Sequence, residues 1–420
     1  PGTVFMDSLS KKVKHYFSEH KFDCTVKVTG SDDQGEGEHK LFEFIREYNT
    51  YCAHKNICIY GLDSDLIILS LEHLCYTKNI ILYRDALISR KLSTKDKIQY
   101  NKKQEFDMIN MHHFADSIYS EISKPGEKTK EQRLTDYVAL SFFLGNDFMP
   151  HSPILPIRTF GIYELLRVYN EVCDNHHKYI TKNKTMHWKI FKKLCFILSK
   201  RQGDFIKKEI KHIVQLPKRN QRKGCSFQDK VCVFQHNVML IEPNYPNWES
   251  RYYQYLFLSE PTHEFIKKVC LSYLQGFEWC LSYYTDKCID HTWYYPYYYP
   301  PLFSDLIKYI PEFNNSLFSA KNITTMHLEN IEPLEQLAYV LPPTSYNLLP
   351  SEMKQELLEY NDKNTLEQNN IHNVTIQPDF STFMWETHPL RDTLPLEFIR
   401  TVYNKYKHKL DNSTTYDTYI

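Results

Sequence analysis

The chain has 420 residues, with 51 basic and 51 acidic side chains, so its formal net charge at pH 7 is zero. At 42% hydrophobic and 24% charged it is too apolar for wholesale disorder, and it is too long for one small domain. No apolar run is long enough to span a bilayer, and the 11 cysteines include no Cys-x-x-Cys pair, which excludes a readable zinc ribbon or disulfide framework. A reducing compartment fits this cysteine usage, which makes the cytoplasm the expected location, with the nucleus left open. Charge neutrality counts mildly against a nucleic-acid partner, but a carboxylate-lined metal site and a basic groove would cancel in the sum.

Phe5, Leu9, Val13 and Phe17 recur at helical spacing and predict an amphipathic helix over 5–20. Cys24, Val26 and Val28 alternate, which predicts a short strand over 24–29. A polar, Gly-containing loop over 31–38 leads into a helix predicted at 40–51. Strands are predicted at 56–60 and 79–83, with a helix over 66–74 between them. Strand and helix therefore alternate across 20–85, the pattern of a parallel α/β layer. From about 86 the pattern changes to a long helix over 102–122, read as an insertion at about 86–124. An apolar helix over 135–145 ends in Asn146-Asp147. Beyond Pro150 helical stretches dominate (162–173, 186–200, 262–284), and the basic segment 201–232 reads as an exposed loop with Lys218, Arg219, Arg222 and Lys223 close together. The expected organisation is an α/β portion over 1–155 and a mainly helical domain over 156–420.

Acidic residues cluster where elements end. Glu36 and Glu38 precede a helix, Asp63 and Asp65 follow a strand, and Asp147 follows the apolar helix. Ligand sites of open parallel sheets form beyond the carboxyl ends of the strands, where such loops converge. Clustered carboxylates raise one another's pKa and need a compensating cation. Hard oxygen donors select Mg²⁺ or Mn²⁺, and two such ions clamp the attacking water and the leaving oxygen in phosphodiester hydrolysis. Asp65 is equally well placed to cap the helix that begins at 66, and a Gly-Glu-Gly-Glu loop is often only a solvated turn. Spacing and composition leave these alternatives open.

Three segments, in this order, carry more information: Gly35-Glu36-Gly37-Glu38-His39-Lys40, Gly61-Leu62-Asp63-Ser64-Asp65-Leu66, and Leu144-Gly145-Asn146-Asp147-Phe148-Met149-Pro150-His151. Together they resemble the XRN family of 5′→3′ exoribonucleases. The likeness continues through Trp248–Tyr253, Gly276–Trp279, Trp293–Tyr297, Pro333–Leu337 and Leu348–Pro350. The resemblance implies an α/β fold of the PIN and flap-endonuclease type, with a mainly helical region after it. It implies single-stranded RNA as substrate and two Mg²⁺ ions held by Glu36, Glu38, Asp63, Asp65 and Asp147. It also implies further catalytic Asp residues and a 5′-phosphate pocket upstream of the position matched by Pro1, so that segment, in cis or in trans, becomes an expected partner. Ser64 stands where the family usually has Ala, a small change that leaves both carboxylates in place.

Two rival classes are weighed against this. A flap-endonuclease-like DNA nuclease would carry a Gly-rich hairpin motif after Asp147, where this chain has Phe148-Met149-Pro150-His151-Ser152-Pro153. A catalytically incomplete RNA-binding or scaffold protein would be expected to have lost some of the five acids. Lys40 and Trp293 are candidate RNA contacts, through phosphate and base stacking respectively. A Tyr/Trp-rich run such as 293–299 more often packs a junction.

Overall fold

The computed structural model describes residues 2–33, 35–85, 106–123, 129–173, 178–219, 230–232, 235–313, 316–318, 331–365, 375–390 and 394–412. It divides into two compact units, one of Glu38–Thr325 with Pro378–Glu386 and a smaller one of Pro1–Gly37, Met326–Gln377 and Thr387–Ile420. The architecture is mixed α/β and mostly helical. No described helix is long and apolar enough to cross a membrane.

The larger unit holds a three-stranded sheet of β1 (Asn56–Tyr60), β2 (Asn79–Asp85) and β3 (Phe106–Asn110), in that spatial order. β1 and β2 run parallel, with Ile59 opposite Leu82, and the connection between them contains the helix Asp65–His73. That helix buries Leu66, Leu69 and Leu71, while Ile80 and Leu82 of β2 are buried as well, so the crossover covers the sheet with its apolar side chains. β3 is antiparallel to β2, with Leu82 opposite Ile109, and makes the sheet mixed rather than parallel. The long helix expected over 102–122 is thus shorter. Phe106–Asn110 pairs as a strand, and Asn110 then caps the helix Met111–Ile122 by accepting from the amides of His112 at 3.0 Å and His113 at 3.2 Å. The rest of the expected insertion, 86–105 and residue 124, lies outside the described residues.

Around the sheet sit the helices Lys130–Ser141, Gly161–Val172, Trp188–Arg219 and His263–Thr285. The last of these is buried along most of the stretch Val269–Thr285. Its Phe277 ring meets Phe143 at 4.6 Å and Phe191 at 5.0 Å between ring centroids, in the centre of the core. The helix Trp188–Arg219 runs through much of the segment expected to be a loop. Few apolar residues occur there, but Phe205, Ile206 and Ile213 fall on one face and are buried, and Gln202 exchanges hydrogen bonds with Ser304 at 2.8 and 3.2 Å. A narrow stripe is enough when the opposite face is solvated. Lys218 and Arg219 end that helix, and Arg222 and Lys223 lie outside the described residues.

Two buried carboxylates support the helix Lys130–Ser141 and its neighbours. Asp136 accepts from the Tyr169 hydroxyl at 2.6 Å, the Ile180 amide at 3.1 Å, and the Thr181 amide and hydroxyl. Glu72 accepts from the Thr135 hydroxyl at 3.2 Å, while its second oxygen has no partner among the described residues. Burial pushes the Glu72 pKa from 4.5 up to about 7. The folded state therefore holds that proton more tightly than the unfolded chain, and the stability due to Glu72 falls as pH rises from 4.5 to about 7. Glu72→Gln removes the charge at no cost in volume. It is expected to be more stable than the parent by about 2 kcal/mol at pH 8 and nearly equal to it at pH 5. Urea unfolding at the two pH values checks this, and equal differences at both would contradict it.

In the smaller unit, the helix Val4–Glu19 is capped by Thr3, whose hydroxyl accepts from the Met6 amide at 3.3 Å. The helices Pro333–Val340, Ser351–Thr365 and Leu396–Asn412 share a core of Leu337, Met353, Leu357, Ile399 and Val402. The strand expected at 24–29 does not form. Cys24 and Val26 are exposed, and among the described residues no strand pairs with this segment, so its alternation has no ladder to join.

Candidate functional site

The turn after β1 is held from two sides. Gly61 donates its amide to the Tyr83 carbonyl at 3.1 Å, and Arg84 at the end of β2 donates to the Leu62 carbonyl at 3.1 Å. Asp63 accepts the Asp65 amide on Oδ1 at 3.0 Å, so Asp63 closes the helix start. Asp65 therefore does not cap: it lies in the first helical turn, and its Oδ2 accepts from the Tyr284 hydroxyl at 2.8 Å. Burial, then the charge of Asp65, and more weakly that of Asp147, push the Tyr284 phenol far above its ordinary pKa. Tyr284 thus stays protonated and donates to Asp65.

The loop that carries Asp147 is shaped by its neighbours. Gly145 has φ of +93°, and a Cβ there would meet the backbone of His151 at 2.7 Å. Asn146 accepts on Oδ1 from the amides of Phe148 at 3.0 Å and Met149 at 2.8 Å, and donates its own amide to the Met149 carbonyl at 3.0 Å. These bonds leave Asp147 exposed at the tip. Gly276 lets Met149 approach the helix His263–Thr285, since a Cβ there would meet the Met149 sulfur at 2.1 Å. Gly145→Ala is expected to cost about 2 kcal/mol or more, through both the positive φ and the clash. A urea midpoint unchanged from the parent would show that the loop tolerates the methyl.

Glu38 is half-buried in the first turn of the helix Gly37–Glu47. The next residue, His39, lies with its ring centroid 3.6 Å from that of Tyr283. Burial, and then the nearby Arg46 charge, lower the His39 pKa to about 4, so the ring is neutral at pH 7, and its buried Nε2 has no partner among the described residues. Lys40 follows, half-buried. Glu36 is exposed and belongs to the smaller unit.

Aromatic rings continue from this corner. Tyr283 stacks on Trp279 at 4.7 Å, and Trp279 stacks on Trp293 at 5.3 Å, with Phe148 against both Trp279 and Tyr283. One face of the Trp293 indole is therefore already covered. In the run that follows, Tyr295 and Tyr299 are core residues, with their hydroxyls on the carbonyls of Tyr299 and Asp379, whereas Tyr294 and Tyr298 are exposed.

Within the larger unit, then, Asp63 closes the turn that leads to Asp65, Tyr284 is bonded to Asp65, Phe148 beside Asp147 packs on Tyr283, and Glu38 precedes a His whose ring lies tilted against Tyr283. All donors are carboxylate oxygens, which suits a hard divalent cation. Among the described residues, however, no three His, Cys, Asp or Glu are grouped so as to hold a metal ion. The sequence reading missed Tyr283, Tyr284 and Asn146. The first two lie four residues beyond Trp279 and Cys280 on the same helix face, so the Gly276–Trp279 tract was the available signal.

The family described as XRN 5′-3′ exonuclease N-terminus matches residues 1–86, and that described as Xrn1 helical domain matches 127–245 and 234–388. The chain is 26% identical over 443 residues to 5′-3′ exoribonuclease 1 of Homo sapiens, an alignment covering 91% of this chain and 24% of that protein. It is 24% identical over 459 residues to 5′-3′ exoribonuclease 2 of Gallus gallus, covering 83% and 47% respectively. It is 30% identical over 248 residues to 5′-3′ exoribonuclease 2 of Saccharomyces cerevisiae, covering 52% and 24%. The chain thus spans a quarter to a half of the length of these relatives.

Proposed function

The chain belongs to the XRN 5′-3′ exonuclease family, and from that premise we propose that it is part of the catalytic core of an enzyme that shortens single-stranded RNA from its 5′ end. The observation that carries this reading is that one helix, His263–Thr285, meets both acidic motifs: its Tyr284 hydroxyl donates to Asp65 at 2.8 Å, and its Tyr283 ring packs on Phe148, next to Asp147. A PIN-type nuclease layer built on β1 and β2 is part of the same proposal.

In this reading Glu38, Asp63, Asp65 and Asp147 of the larger unit hold two divalent ions, Mg²⁺ or Mn²⁺. Bound there, the ions would lower the pKa of the attacking water and offset charge on the phosphate. The chain's own groups do the positioning. Tyr284 fixes the orientation of the Asp65 carboxylate, Asn146 fixes the loop that presents Asp147, and neutral His39 adds no positive charge to compete for the acids. Lys40 contacts phosphate, and Trp293 offers a base the face that Trp279 leaves open. Further ligands and the 5′-phosphate pocket are proposed to come from a segment outside this chain.

The test is 5′-monophosphorylated single-stranded RNA with Mg²⁺, given to the chain alone and to the chain joined to the upstream segment. Release of mononucleotides from the 5′ end, raised by that segment, is the expected result. Preferential cleavage of flapped duplex DNA would overturn the proposal. A second reading, an RNA-binding protein derived from this fold, is favoured by the absence of a three-ligand group among the described residues. RNA binding without shortening in both preparations would establish it.

A further inference from the structure

On the helix Trp188–Arg219, Lys189, Lys192, Lys193, Phe196 and Lys200 recur at intervals of three and four, which puts them on one face. Lys189, Lys192, Lys193 and Phe196 line a groove of about 780 Å³, to which Lys178 and Phe313 also contribute. Phe196 is 49% exposed and Phe313 73% exposed, so two large apolar rings are left to water. Among the described residues, Lys189, Lys192 and Lys193 make no ion pair. Two carboxylates also line the groove. Of these, Glu171 is engaged with Arg201 at 3.3 Å and Arg167 at 3.9 Å, which leaves Glu312 against Lys189, Lys192 and Lys193. The Lys200 ammonium lies 4.9 Å from the Phe196 ring centroid and ties that ring to the basic stripe.

A ligand for this groove must offer negative charge to the lysines and flat apolar faces to the rings. Single-stranded RNA offers both, because its phosphates are regularly spaced and its unpaired bases are free to stack. A duplex hides its base faces, and an acidic peptide has charge without them. We propose that this groove is a second contact for single-stranded RNA, with Lys189, Lys192 and Lys193 on phosphates and Phe196 and Phe313 stacking on bases. None of its residues belongs to the carboxylate corner. The proposal rests on the reading of single-stranded RNA as substrate.

Fluorescence anisotropy with a labelled single-stranded RNA of about 20 nucleotides, in EDTA and across a salt series, tests it. For the triple variant Lys189→Ala/Lys192→Ala/Lys193→Ala we expect roughly tenfold weaker binding at low salt. We also expect the slope of log K against log salt to flatten by about 2, from three contacts at about 0.7 each. Phe196→Ala should weaken binding roughly fivefold or more with the salt slope unchanged, and Phe196→Tyr should restore it. Circular dichroism of each variant confirms that these exposed positions leave the fold intact. If the parent binds RNA and the triple variant matches it in affinity and slope, the groove assignment fails while the RNA reading stands. If the parent does not bind single-stranded RNA at all, both fail. If the triple variant loses binding to a poly-glutamate peptide but keeps RNA affinity, the groove belongs to an acidic protein segment and the proposal is overturned.

Discussion

On the proposed reading, Asp147→Asn and Asp63→Asn are each expected to lower kcat for RNA shortening roughly a thousandfold, while the urea midpoint stays close to the parent's. Both side chains are exposed, so losing one charge costs the fold little. Asn at 63 can still accept the Asp65 amide that Asp63 accepts at 3.0 Å, so the turn keeps its closure. The loss falls on chemistry. Charge stabilisation by a bound metal is worth several kcal/mol, and each 1.36 kcal/mol is about a factor of ten in rate. Asp65→Asn is a useful companion, because the amide oxygen can still accept from Tyr284 and only the charge is removed. The checks are the 5′-end assay and calorimetric titration with Mn²⁺. A fully active Asp147→Asn protein would remove this residue from the site, and unchanged Mn²⁺ binding in all three variants would remove the metal proposal as a whole.

Asp136→Ala is expected to lower stability by about 3–5 kcal/mol. This carboxylate is buried and takes hydrogen bonds from Tyr169, from the amides of Ile180 and Thr181, and from the Thr181 hydroxyl. Truncation leaves those donors buried without an acceptor, each at a cost of about 1–3 kcal/mol before relaxation. It also removes an anion from the surroundings of Arg133, a fully buried guanidinium that donates to the Tyr169 hydroxyl at 2.6 Å and the Lys178 carbonyl at 3.1 Å. Burial pushes the Asp136 pKa up to about 6, so the network is ionised at neutral pH and partly protonated under acid conditions. Denaturant unfolding at pH 7.5 is the measurement, and a loss under about 1 kcal/mol would mean that the donors find water or other acceptors.

The residue pattern alone located most of the helices that build the larger core. Apolar spacing of three and four predicted the helices at 66–74, 135–145, 162–173 and 262–284, because a buried helix face must repeat with that period wherever it packs. The strands at 56–60 and 79–83 were legible for a related reason: short runs rich in Ile and Tyr, bounded by turns, suit strands, and the second runs on to Asp85. The three acidic motifs were legible as letters in order, and the family match over 1–86 and 127–388 agrees with that resemblance. What failed depended on partners distant in sequence. Residues 24–29 have the alternation of a strand but, among the described residues, no strand to pair with, whereas Phe106–Asn110 continues a helical pattern yet pairs with β2. The stretch after residue 200 looks too polar for a helix, but Gln202 finds Ser304 and a thin stripe of Phe205, Ile206 and Ile213 finds a surface. At the site, residue order could not say whether Asp63 or Asp65 closes the turn. That was decided by Tyr284, 219 residues further along, whose hydroxyl reaches Asp65 and leaves the backbone bond to Asp63. Local spacing records which face a residue shares with its own element, and only the packed chain decides which distant group that face meets.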